Sequence, residues 1–177
     1  MILYHGSNME IEKINISKCK PFKDFGCGFY TTPIWDQALT MARRTVRIYR
    51  EGKPCVTGFF CDDTLFGGTE KHLTTPALNI KQFKEPDKEW AKFVINNRNR
   101  RFTDIQSQDC NTDSKYDIVA GPVANDDITA LIDVYLSGIL SDDALAKELT
   151  FRDLSLQVSF HTEKSIVYLQ KTGISYG

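Results

Sequence analysis

Residues 156–161 alternate without a break: Leu156, Val158 and Phe160 against Gln157, Ser159 and His161. Only an extended strand sorts such residues cleanly, because successive side chains of a strand point to opposite faces. The chain must therefore build a sheet with at least one apolar face, and another layer must cover it. Two readings stand for the polar face. It is a solvent-facing half-sheet, or the wall of a cleft in which Gln157, uncharged, orients a hydroxyl.

The elements around this strand are mixed. Residues 1–5 form a short apolar strand ending at Gly6-Ser7, and residues 28–31 form another. Thr32 as N-cap and Pro33 at the first helical position then start a helix. Its face of Trp35, Ala38, Leu39, Ala42, Val46 and Tyr49 recurs at helical spacing and is expected to be buried, and Gly52-Lys53-Pro54 ends it. Strands follow over residues 54–61 and 116–120. Pro86-Asp87 opens a second helix that turns Trp90, Phe93, Val94 and Asn97 to one side. Further helices are expected over residues 127–136, from Ser141 onward, and from Thr162 to about residue 169. Residues 17–27 and 100–114 read as loops, and residues 65–75 carry no clear period. Strands and helices interleave irregularly, so the class is α+β in a single domain, residues 1–177.

Bulk properties exclude several classes. Twenty-two basic and twenty-three acidic residues give a net charge of -1, which argues against nucleic-acid binding by bulk charge. Five cysteines without paired spacing read as reduced thiols. The three histidines form no zinc-like cluster, so no metal is expected. No signal-like segment opens the chain, and no apolar run nears the roughly 18 residues of a membrane span. A cytoplasmic protein without membrane contact is the expectation.

The residues able to carry chemistry sit near the N-terminus and on the alternating strand. In Tyr4-His5-Gly6-Ser7, the glycine backbone presents a donor and an acceptor that match a carboxamide, with His5 beside it for a sugar hydroxyl and Ser7 as a further hydroxyl. In Gly26-Cys27-Gly28-Phe29-Tyr30-Thr31, Tyr30 shares a strand face with bare Gly28, where its ring is able to stack a flat ligand. The competing reading for each is structural: a strand-end histidine with one backbone bond, and a core tyrosine.

These two motifs resemble the first two signatures of the diphtheria-toxin-like ADP-ribosyltransferases, which include the poly(ADP-ribose) polymerases. Those enzymes place a glutamate on a late strand, where this chain has Gln157. The whole chain is more closely similar to an uncharacterised bacterial family distantly related to them. That likeness rests on His5-Gly6-Ser7, residues 26–32, Trp90 with Phe93, Asn97-Arg98, residues 116–126 and residues 157–162. The resemblance implies an ADP-ribosyltransferase-like split β-sheet with flanking helices. It implies NAD as substrate, bound by His5, Gly6, Ser7, Gly28, Tyr30 and Thr31, with His5, Tyr30 and Gln157 in the catalytic positions. His5 would bind the nicotinamide-side ribose, Gly6 the carboxamide, and Tyr30 the nicotinamide ring. Without the glutamate's charge, mono-ADP-ribosyl transfer to a macromolecule (protein or nucleic acid) is expected instead of polymer synthesis, with NAD hydrolysis as a side activity. Asp126 is the candidate for an auxiliary carboxylate. Small bacterial proteins of this type are often toxins paired with an antitoxin protein. The alternatives are an NAD-binding pseudoenzyme, or a module that binds ADP-ribose or a partner.

Three features stay open. Asn125 is the N-cap of an ordinary helix, or Asn125 and Asp126 face an acceptor. Arg43, Arg47 and Arg50, and then Arg98, Arg100 and Arg101, form solvated faces or contact pyrophosphate. Residues 125–154, with seven acidic and two basic residues, form a solvated surface or a docking face for a basic partner.

Overall fold

The structure is a computed structural model that describes residues 1–62, 64–67, 78–98, 110–150 and 155–177. Two sheets and their flanking helices stack in four layers. The first sheet is antiparallel, in the order β1 (Ile2–Ser7), β3 (Cys55–Phe60), β7 (Gln170–Tyr176). The second runs β2 (Phe29–Thr31), β6 (Leu156–Phe160), β5 (Ile118–Pro122), β4 (Ile80–Gln82), with only β4 and β5 parallel. A single bridge, Tyr4 to Thr32, joins the two.

The apolar faces explain the stacking. Leu3, Phe59 and Cys61 from the first sheet meet Phe29, Ile118, Val158 and Phe160 from the second in a core between them. Helix α1 (Trp35–Tyr49) covers the outer face of the first sheet with Ala38 and Leu39 against Val56 and Tyr4. Helices α3 (Lys88–Arg98), α4 (Asp126–Leu136) and α5 (Asp142–Thr150) cover the second sheet, with Trp90, Phe93, Ile128 and Leu145 packed around Phe25 and Val119. Two four-residue helices, α2 (Thr64–Gly67) and α6 (Glu163–Ile166), complete the α-helices among the described residues, and Ile16–Lys18 forms one 3-10 turn.

The mixed α+β class holds, and several local expectations are corrected. Helix α1 begins at Trp35 with Ile34 as N-cap, not at Pro33. Thr32 exchanges two backbone bonds with Tyr4, at 2.8 and 2.9 Å, which holds it extended. Its hydroxyl still accepts the Ile34 amide at 3.2 Å. The buried stripe of α1 is limited to Ala38, Leu39 and Ala42, while Trp35 and Tyr49 are exposed. The helix lies so close to β1 at Gly6 that Ala38 and Ala42 face it there, while Trp35 and Tyr49 at the helix ends stay exposed.

Strand β5 starts two residues later than expected, at Ile118, and Asp117 just before it is tied down by its side chain. Its carboxylate accepts the Asn79 amide and the Thr162 hydroxyl and pairs with Lys164 at 2.8 Å. Burial alone would raise its pKa; these partners hold it below the ordinary carboxylate value. Thr162 caps α6 through a capping box with Ser165, but the helix stops at Ile166 and the chain returns as β7. Strands β4 and β7 are edge strands, and β7 is exposed along most of its length, so neither shows an amphipathic alternation.

The largest correction concerns the alternating strand. Its polar face is not solvated: Gln157 is 8% exposed, Ser159 0% and His161 2%, whereas apolar Leu156 is 39% exposed. Both faces of β6 are covered, one by the inter-sheet core and one by residues 24–28 and the helical layer. Burial of this polar row is tolerated because each member is hydrogen-bonded.

Candidate functional site

The two sheets part beside Gly6. Met1 and Cys61 exchange backbone bonds at 2.7 and 2.9 Å, which sets the phase of the β1–β3 ladder. Leu3, His5 and Ser7 therefore turn their backbone groups to β3, and Tyr4 and Gly6 turn theirs to the other edge. Tyr4 spends its pair on Thr32. By the same antiparallel register Gly6 stands opposite Tyr30, yet no bond joins them. The Tyr30 carbonyl takes the His5 ring instead, with Nδ1 at 2.7 Å. The Gly6 N–H and C=O are left without a partner among the described residues, at a notch between β1 and β2.

His5 is fixed by two contacts. Its ring stacks on Phe29 with centroids 4.3 Å apart. A carbonyl only accepts, so Nδ1 carries the proton in the neutral ring and Nε2 is left as an acceptor. Burial pushes the imidazole pKa down, which favours that neutral form. Ser7, half-buried at the same strand end, reaches Asn8 with its hydroxyl at 3.4 Å.

The absent side chain of Gly6 makes room for the helix and not for a ligand. A Cβ there would collide with the backbone carbonyl of Ala38. Only the edge-on backbone groups remain for a ligand. Gly28 is likewise filled: a Cβ would lie 2.6 Å from His161 Nδ1, so no ligand ring stacks across it. Thr31 is 3% exposed and its hydroxyl donates to the Val158 carbonyl at 2.8 Å, so it lines no cleft.

Tyr30 projects from the opposite face of β2 to Phe29. Its ring lies against Phe25 and edge-on to His161, with centroids 6.4 and 6.3 Å away. Its hydroxyl accepts the Phe25 amide at 2.9 Å and donates to the Gly26 carbonyl at 2.8 Å. Burial, and then the nearby Asp24 charge, push its pKa well above the ordinary tyrosine value. The rings of His5 and Tyr30 thus lie on opposite sides of β2, and they meet only through the Tyr30 carbonyl. Tyr30 and Gln157 do share a face: Tyr30 pairs with Ser159, two residues from Gln157.

Gln157 is held firmly. Its Nε2 donates to Asp24 Oδ2 at 2.7 Å and to the Pro122 carbonyl at 3.2 Å. Asp24 also accepts the Ala124 amide at 3.0 Å and two bonds from Arg98, at 2.9 and 2.6 Å. Arg98 reaches on to Thr129 and the Ala124 carbonyl. Arg98 is therefore an internal ion-pair partner, neither a solvated surface group nor one free for pyrophosphate. Asp24 is the functional candidate that sequence reasoning missed. It lies in the aperiodic loop of residues 17–27, where no local signal marks it.

His161 and Ser159 complete the polar row. His161 Nδ1 donates to the Cys27 carbonyl at 2.7 Å, and the Ser159 hydroxyl lies between Nε2 at 2.8 Å and the Val119 carbonyl at 3.1 Å. Burial lowers the His161 pKa to about 4. The unfolded chain then binds a proton near pH 6.5 that the folded chain refuses until about pH 4. This contribution to stability is complete above pH 6.5 and is lost as the pH falls toward 4. It amounts to about 3 kcal/mol. Thermal melts from pH 7 to pH 4 should show this loss, and His161→Gln should flatten the curve. An equally steep acid limb in the variant would reject the assignment.

The remaining candidates separate. Asn125 is the N-cap of α4, accepting the Ile128 amide at 3.0 Å. Asp126 opens that helix, and its side chain lies outside the described residues, as do Arg100 and Arg101. Arg43, Arg47 and Arg50 are all exposed. A cavity of about 300 Å³ lies by Tyr4, Trp35 and Gly58, and one of about 270 Å³ by Phe66, Phe83 and Val158; neither is lined by His5, Tyr30 or Gln157.

Residues 1–171 match a family described as a protein of unknown function, DUF3990. The chain belongs to that family. No curated protein and no solved structure matches it. The notch, the Asp24–Gln157 pair and every strand but β7 fall within the DUF3990 span, which ends at the second residue of β7. Among the described residues of this DUF3990 member, no group of His, Cys, Asp and Glu is placed to hold a metal. No described helix is long and apolar enough to cross a membrane.

Proposed function

We propose that the protein is an NAD-dependent mono-ADP-ribosyltransferase acting at the Gly6 notch. One observation carries the reading: the ladder between β1 and β2 breaks after a single bridge, leaving the Gly6 N–H and C=O open opposite Tyr30. A coplanar donor and acceptor suit a carboxamide such as that of nicotinamide. His5, neutral and with Nε2 free, accepts a ribose hydroxyl beside it. In the reaction the glycosidic C1′–N bond breaks, and its electron pair goes to the nicotinamide nitrogen, neutralising the pyridinium. The oxocarbenium-like ribose is captured by an acceptor nucleophile, which gives up its proton to solvent. The protein's part is orientation and electrostatic stabilisation.

The low exposure of Gln157 favours a second reading, an NAD binder without turnover. Incubating the full chain with labelled NAD and a cell lysate separates the two. The transferase reading expects released nicotinamide and a labelled macromolecule, and protease or nuclease digestion then assigns the acceptor. Binding by calorimetry with no nicotinamide release selects the binder, and no NAD binding at all overturns both.

A further inference from the structure

The Asp24–Gln157 pair deepens the transferase reading and rests on it. We propose that Asp24 is a positioning residue that turns Gln157 into a fixed hydrogen-bond acceptor for a ribose hydroxyl of NAD. A side-chain amide is ordinarily ambivalent, because half a turn exchanges its donor and acceptor ends. Here both partners of Nε2, a carboxylate oxygen and a backbone carbonyl, only accept. A flipped amide would set Oε1 against Asp24 Oδ2 and lose both bonds. Asp24 itself is unable to turn away, since Arg98 and the Ala124 amide hold its two oxygens.

The consequence falls on Oε1. It has no partner among the described residues, where no buried side-chain polar atom is left unpaired, so Oε1 is not fully enclosed. The carboxylate behind the NH₂ group draws its hydrogens and shifts electron density toward that oxygen. Position 157 thus offers what a carboxylate offers to a hydroxyl, an acceptor and nothing else. The negative charge sits one residue further back, balanced by Arg98.

This arrangement makes Gln157→Glu an unfavourable exchange. A glutamate would place a second carboxylate against Asp24, and two carboxylates in contact do not both ionise readily. The test is an exchange: Gln157→Glu, Asp24→Asn, and both together, with nicotinamide release followed against pH. Each single variant should lose at least about 10-fold in kcat at pH 7, as expected when a strong polar partner is removed from a reacting group's support. The Gln157→Glu loss should shrink at lower pH, where one carboxyl is protonated and donates to the other. In the double variant the amide and the carboxylate change places at the same net charge. The amide at position 24 then donates to the carboxylate at position 157, and most of the loss should be recovered. Unchanged single variants, or losses that simply add in the double variant, would overturn the catalytic role of the pair.

A readout independent of turnover protects the test. In the wild-type chain the Gln157 side-chain amide protons should resist solvent exchange by NMR, and Asp24→Asn should release them. Free exchange in the wild type rejects the positioning claim. Absence of nicotinamide release from the wild type rejects the transferase reading instead.

Discussion

Gly6→Ala is expected to lower the free energy of unfolding by about 3 kcal/mol, the upper end of what overpacking usually costs. The added Cβ meets the Ala38 carbonyl and lies 2.9 Å from the Ala42 amide nitrogen. Both are helix backbone, which lacks the freedom of a side-chain tip to swing aside, so α1 as a whole must lift from β1. Urea denaturation should show a lower midpoint at an unchanged slope. Gly173→Ala is the control. It too lies in the first sheet, paired with Gly58, but nothing stands within 4 Å of its added Cβ. Equal effects of the two replacements would show that the close approach of α1 to β1 is wrong. Because Gly6→Ala disturbs the fold, lost activity in that variant says nothing about the notch.

His5→Ala reports on the notch. Nicotinamide release should fall about 100-fold, the scale expected when a positioning contact is removed. The fold should survive, because the lost ring is part-exposed and makes one hydrogen bond and one stack. A melt within a few degrees of wild type would establish that. Wild-type activity should also decline in acid, as protonation of Nε2 removes its lone pair. Burial places that decline below the usual histidine range. Full turnover in His5→Ala would remove the notch from the reaction.

Several elements are legible in the chain because their signals are local. Asn125 caps α4 through its own side chain, and Trp90, Phe93, Val94 and Asn97 face inward as their helical spacing requires. Strand β3 follows Gly52-Lys53-Pro54 as expected, although α1 already ends at Tyr49, where left-handed Arg50 is its C-cap. The start of α1 is not legible. Thr32-Pro33 is a sound helix start by itself, and only the bridge from Tyr4, far away in the chain, holds Thr32 extended.

The strand of residues 156–161 marks the division between the two kinds of information. Its alternation determines by itself that Leu156, Val158 and Phe160 part from Gln157, Ser159 and His161, since the strand period is a property of the backbone. Whether the polar row meets water was decided elsewhere. Asp24 and Cys27 come from one segment and Val119 and Pro122 from another, and only the packed second sheet and its covering loop bring them onto one face. Burying a polar row costs free energy unless each group finds a partner, and those partners are long-range. The same holds at Gly6, whose missing side chain fits a ligand or a helix equally well on paper. The packing of α1 filled that space and left the backbone edge at the notch open.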